Sequence, residues 1–140
     1  MDKFNLHRFI EAQEYDYPIA LEEIREGRKK SHWIWYIFPQ LKGLGQSGNS
    51  NFYGISSLEE AQEYLKVEIL KDRLFEICNC VLSHKGEDIV RIMGRIDALK
   101  LQSSMTLFDL VYPNSIFREI LNEFYNGKVC RRTLKLLDLC

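Results

Sequence analysis

The chain has 140 residues, a net charge of -1, 46% apolar residues and 28% charged ones. That length suits a single domain over residues 1–140 with a real core, and the near-neutral charge makes nucleic acid an unlikely partner. The longest apolar run, Trp33 to Phe38, is too short to span a bilayer, and Met1-Asp2-Lys3-Phe4-Asn5 holds no apolar signal region, so the expectation is no membrane and a cytoplasmic location.

In chain order, Leu6, Phe9, Ile10 and Gln13 recur at helical spacing, predicting a helix over about residues 5–15 with Asn5 as its N-cap. Asp16-Tyr17-Pro18 then opens a second helix carrying Ile19, Ala20 and Ile24, with Gly27 placed to end it. Arg25, Arg28, Lys29 and Lys30 follow as a basic cluster. It reads either as a solvated helix end or as an anion-binding rim, and the second reading is strongest at Lys30, next to Ser31 and His32.

Ser31 is available to cap the next element. Trp33 to Phe38 is apolar on every side and must be buried, whether helical or extended; Pro39 stops it in either case. From Gln40 to Ser56 four glycines alternate with serine and asparagine, predicting a long irregular loop. No Gly-Lys-Ser/Thr ends it, so it is not a P-loop. Ser57-Leu58-Glu59-Glu60 is a capping box for a short helix through Ala61, Tyr64 and Leu65. A long helix spans Ile69 to Leu82, and a short one follows at Ile89, Ile92 and Met93.

Asp97 is placed to cap the next helix. At about 100° per residue, Lys100, Ser103 and Ser104 share a sector with Leu107 and Val111. The apolar half of that sector faces protein, so the ammonium and two hydroxyls in the other half need partners. These are either the helix's own carbonyls or a ligand. Pro113 ends the helix. Ile116, Phe117, Ile120, Leu121 and Phe124 form an amphipathic helix closed near Gly127, and Leu134, Leu136 and Leu137 mark a last one. The helical period dominates throughout, so the expected fold is all-α, a compact single-domain orthogonal array of about seven or eight helices.

Four cysteines (Cys78, Cys80, Cys130, Cys140) form no Cys-x-x-Cys pair, and the three histidines lack zinc-ligand spacing. Reduced thiols, no metal and no cofactor are expected. Ser31 and His32 are adjacent, which is poor geometry for a nucleophilic pair; His32 with Ser103 or Ser104, oriented by Asp97 or Asp109, requires the two stretches to meet. A better match is a pocket for a small anionic or nucleotide-like ligand. Lys30, Ser31, Trp33, Lys100, Ser103 and Ser104 would bind it, and His32 would be the acid/base of any reaction. The rival reading is a non-catalytic protein-interaction module whose polar motif residues brace the core.

Two long motifs carry a resemblance. Lys30-Ser31-His32-Trp33-x-Trp35-Tyr36-Ile37-Phe38-Pro39-Gln40-Leu41-x-Gly43-Leu44-Gly45-x-Ser47 and Lys100-Leu101-Gln102-Ser103-Ser104-Met105-Thr106-Leu107-Phe108 closely resemble the bacterial family of domain of unknown function 1810. Arg8-Phe9, Ala12-Gln13, Glu60-Ala61, Tyr64-Leu65, Arg73-Leu74 and Thr133-Leu134 support it. The resemblance implies a mainly helical single domain and brings no assigned catalytic residues. Three residues before Thr133-Leu134 the family pattern has an aspartate, where this chain has Cys130.

Overall fold

A computed structural model of the chain describes residues 2–139. Among them are nine helices: α1 (His7–Arg25), α2 (Ile34–Ile37), α3 (Gly48–Tyr53), α4 (Leu58–Tyr64), α5 (Glu68–Leu82), α6 (Ile89–Met93), α7 (Arg95–Val111), α8 (Ile116–Tyr125) and α9 (Arg131–Leu136). The only β pairing among the described residues is an isolated parallel bridge, Leu41 to Ile55. The fold is all-α, as the helical periodicity predicts.

The helix α7 is the axis of the molecule. It packs against α2, α4, α6, α8 and α9, while α1 packs on α5 and α2. Its inward residues Leu101, Met105, Leu107 and Phe108 are fully buried. A chain of aromatic rings crosses the core from Phe9 to Tyr64 (5.1 Å), Phe108 (5.4 Å) and Phe117 (5.5 Å). Helix α8 buries Ile116, Phe117, Ile120 and Leu121 on one stripe, each contributing about 1.5–3 kcal/mol of apolar burial. It closes where Asn126 turns left-handed and Gly127 N–H bonds the Leu121 carbonyl at 2.9 Å.

Several local expectations are corrected. Helix α1 is one helix through Pro18, not two. Glu14, whose carbonyl loses its helical partner because Pro18 has no N–H, lies with Pro18 on the exposed face of the helix. Asn5 is not the cap; Asp2 accepts the Leu6 and His7 N–H groups instead. The 40–56 segment holds α3, capped by Ser47, whose hydroxyl accepts the Ser50 N–H at 3.1 Å. In the capping box Ser57 accepts the Glu60 N–H as expected, but Glu60 answers to Ser56 and to buried Arg8 rather than to Ser57. Asp97 lies inside the first turn of α7, which starts after Gly94, and is free to pair elsewhere.

The polar residues Arg8 and Gln13 near the start are braces. Arg8 donates to the Phe52 carbonyl (2.8 Å) and to Glu60 (2.8 Å), tying α1 to α3 and α4. Gln13 donates to the Tyr36 carbonyl (2.8 Å) and to the Tyr64 hydroxyl (3.0 Å), so the turn at α2 is hung from α1.

Candidate functional site

The site begins with a carboxylate. Glu23, in the last turns of α1, is buried and accepts four hydrogen bonds: from the Lys30 N–H (2.8 Å), the Ser31 N–H (3.0 Å), the Ser31 hydroxyl (2.6 Å) and the Trp33 indole N–H (2.9 Å). Burial alone would raise its pKa, but the Ser31, Lys30 and Trp33 donors outweigh burial and hold the carboxyl down at about 2. Glu23 therefore sets the path of residues 30–33. The Ser31 hydroxyl is spent on it, and Ser31 caps no helix.

The next lysine position decides the electrostatics. Lys29 has a side chain only 4% exposed, and its ammonium meets Asp97 at 2.7 Å, bonds the Ser31 carbonyl and lies 4.5 Å over the Trp33 ring. Asp97 thereby joins α7 to the segment after α1. Lys100, one turn along α7, reaches the same carboxylate only at 3.8 Å, beyond hydrogen-bond distance, and sits 5.6 Å from the Trp35 ring centre.

Two adjoining cavities open here. The first, about 150 Å³, is lined by Lys29, His32, Ile34, Trp35, Ser47, Asn49, Asp97 and Lys100. The second, about 270 Å³, is lined by Trp35, Gln40, Leu44, Ile96, Leu99, Lys100, Gln102, Ser103, Cys130 and Arg132. Trp35 and Lys100 form their common wall. Gly45 permits this wall: a Cβ there would lie 2.9 Å from Trp35 Cζ2 and from Ser50 Cβ. A larger depression of about 490 Å³ near the N-terminus is lined by groups already paired with one another, Lys3 with Glu59 and Lys66 with Glu63 among them.

The two motif stretches thus meet, though with different residues in front. His32 is exposed on the first cavity, with no side-chain hydrogen bond among the described residues. Lys100 lines both cavities and Ser103 the second. Lys30 lines neither; its ammonium is exposed, 4.0 Å from Glu26, and Lys29 occupies the position expected of it. Ser31 and Trp33 are held by Glu23 behind the site. Ser104 is fully buried with an unpartnered hydroxyl and lines neither cavity. Ser103 bonds back to the Leu99 carbonyl at 3.1 Å and also approaches Cys130 Sγ at 3.2 Å.

No catalytic triad forms at the predicted positions. Asp97 is committed to the lysines, and Asp109 pairs with Arg118 at 2.6 Å on the far part of α7. Cys78, Cys80 and Cys130 are free thiols, while Cys140 lies outside the described residues. No metal-holding cluster occurs among the described residues.

Lys29, Gln40, Ser47 and Asn49 line the site without being assigned to it by the sequence, while Trp35 and Cys130 carry sequence signals of their own, an aromatic surface and a departure from the family pattern. Trp35 and Gln40 lie within the first long motif, which was a usable signal. Lys29 reads in sequence as one more member of a solvated basic cluster, and Cys130 is marked only by standing where the family pattern has an aspartate.

Taken together, the fold and the site define a compact all-α domain with a two-compartment polar cavity between the loop after α1 and the face of α7. The chain belongs to the family described as protein of unknown function, DUF1810, whose profile matches residues 3–137. It is similar to the conserved hypothetical protein Rv1873 from Mycobacterium tuberculosis, whose crystal structure superposes with a TM-score of 0.95. That protein is 47% identical, and the match covers 99% of this chain and 100% of the other. No curated protein matches. No helix among the described residues is long and apolar enough to cross a membrane.

Proposed function

We propose that the protein binds a small anionic ligand in the first cavity, with Lys100 and His32 as its polar contacts, and that His32 serves as acid/base if the ligand is turned over. The observation that carries this reading is the unequal commitment of the cations. Asp97 neutralises Lys29 at 2.7 Å, whereas Lys100 stands off at 3.8 Å and faces the same cavity as His32. Two lysines against one carboxylate leave the cavity positive, in partly buried surroundings where charge is poorly screened.

Size refines the ligand. About 150 Å³ accommodates a phosphate or carboxylate group but not a nucleotide. A nucleotide-like ligand would place its anionic head at Lys100 and His32 and its flat body along Trp35 into the second cavity. The test is thermal unfolding against phosphate, simple carboxylates and nucleotides. Binding at about 100 times Kd adds about 2.7 kcal/mol of stability, a rise of several degrees in Tm. Lys100→Ala and His32→Ala are expected to abolish the rise. An identical rise in wild type and both variants, or no rise with any ligand, overturns the reading.

The second reading, a protein-interaction module, rests on Ile96 and Leu99. They are 69% and 60% exposed on α7 at the rim of the second cavity. The aromatic run itself does not serve it, because Trp33, Trp35, Tyr36 and Phe38 are buried.

A further inference from the structure

We propose that Cys130 is a nucleophilic thiol at the end of the second cavity, and that this cavity accepts small carboxylates bearing an electrophilic carbon, which the Cys130 sulfur attacks, so that the thiol becomes S-alkylated. The inference rests on the second cavity and stands whether or not the first binds an anion.

Three independent features meet there. Cys130 is half-buried ahead of α9, anchored by its N–H to the Thr106 hydroxyl at 2.9 Å, and its sulfur lies 3.2 Å from the Ser103 hydroxyl. Gln40, only 1% exposed, lines the same cavity, and its Nε2 amide finds no acceptor in the protein. Buried side-chain amides are almost always paired, so a free donor beside a cavity points to an occupant that supplies the acceptor. The charge lining is one-sided: Lys100 and Arg132 border the cavity and no carboxylate does. The remaining wall is apolar, from Trp35, Leu44 and Leu99. A short carboxylate with a small apolar body satisfies all of these, with an oxygen for Gln40 Nε2 and charge for Lys100 and Arg132.

The sulfur is also the suitable one of the three described thiols. Burial pushes the Cys130 thiol up, but the hydroxyls and N–H groups around it pull it below its ordinary value. Among them Ser103 stands in standard hydrogen-bond geometry and carries the weight. Its single proton can go to the Leu99 carbonyl or to the sulfur, and it turns to the sulfur when the thiolate forms. Burial pushes Cys78 and Cys80 the other way. The step needs no oxidant. The Cys130 thiol gives up its proton to solvent, the thiolate pair forms the new S–C bond, and with a halocarboxylate the carbon–halogen bond breaks and halide leaves with its electrons.

The experiment treats the intact chain at neutral pH with iodoacetate and with iodoacetamide. These reagents share the reacting carbon and differ in charge. Peptide mass spectrometry reads the rate at each cysteine, in folded and in denatured protein. Cys130 is expected to react about tenfold faster than Cys80 in the folded chain. Its iodoacetate-to-iodoacetamide ratio is expected to rise about fivefold over the denatured chain, the preference set by the cavity's cations. Arg132→Gln should return that ratio toward the denatured value, whereas Gln40→Leu removes a neutral donor that either reagent's carbonyl oxygen can use and should slow both. Ser103→Ala should slow both reagents alike. If the reagent ratio at Cys130 is the same folded and denatured, or if Cys130 reacts no faster than Cys80, the proposal is overturned. Phosphate-induced thermal shifts report the first cavity and the reagent ratio reports this one, so each can fail alone.

Discussion

Glu23 shows how much one side chain arranges. It takes three N–H donors on Oε1 and the Ser31 hydroxyl on Oε2. Glu23→Gln keeps an acceptor for the three N–H groups and lets Ser31 reverse its bond, so only the charge is lost; we expect a cost of about 1 kcal/mol. Glu23→Ala strands the donors of Lys30, Ser31 and Trp33, and the expected cost is about 3 kcal/mol, read by urea unfolding. Equal losses in the two variants would remove the hydrogen-bond account. The folded carboxyl titrates at about 2 against an ordinary 4.5. Its stabilisation is therefore complete above pH 4.5 and is lost as pH falls toward 2. In Glu23→Gln that part of the acid-side decline should be absent.

At the scale of elements, the Gln40 to Ser56 segment carries the wall of the site. The Ile55 N–H bonds the Gln40 carbonyl at 2.8 Å and the Lys42 N–H bonds the Ile55 carbonyl at 2.7 Å, closing the segment on itself. Gly54 makes the closure feasible by contact rather than by conformation: a Cβ there would lie 2.7 Å from Lys42 Cα and from the Ser50 carbonyl oxygen. Gly54→Ala is expected to cost about 2–3 kcal/mol, because backbone must move. Gly48→Ala, at the start of α3 with nothing within 4 Å, should be neutral or stabilise by about 0.5 kcal/mol. Chemical denaturation of both variants checks the contrast. The composition of this segment correctly marks turns. It hides α3, whose six residues have no apolar stripe and are held by the Ser47 cap and by Arg8 on the Phe52 carbonyl.

At the scale of the whole molecule, the half-buried pair Lys29–Asp97 ties the end of α1 to the start of α7. Removing the acid leaves an ammonium, 4% exposed, without its partner; removing the lysine leaves an aspartate that Lys100 can approach from 3.8 Å. Asp97→Ala is therefore expected to cost about 3 kcal/mol and Lys29→Met distinctly less, as measured by Tm and by urea unfolding. The reverse order would mean that Lys100 provides no substitute.

The sequence by itself determined the helical class, most helix positions, the family and the burial of Trp33 to Phe38, because period, caps and apolar runs are local properties. It also marked the two stretches that meet, since hydroxyls and an ammonium on a partly apolar helix sector need partners. Which members face the cavity was decided only in three dimensions. Lys29 and Lys30 are neighbours with the same chemistry, and the four bonds of Glu23 to the following turn send one inward to Asp97 and the other to solvent. Gln40 and Cys130, ninety residues apart in sequence number, acquire a common cavity only because α7 and α9 pack together beside the turn that follows Pro39. Such contacts depend on tertiary packing of distant segments, which no local pattern encodes.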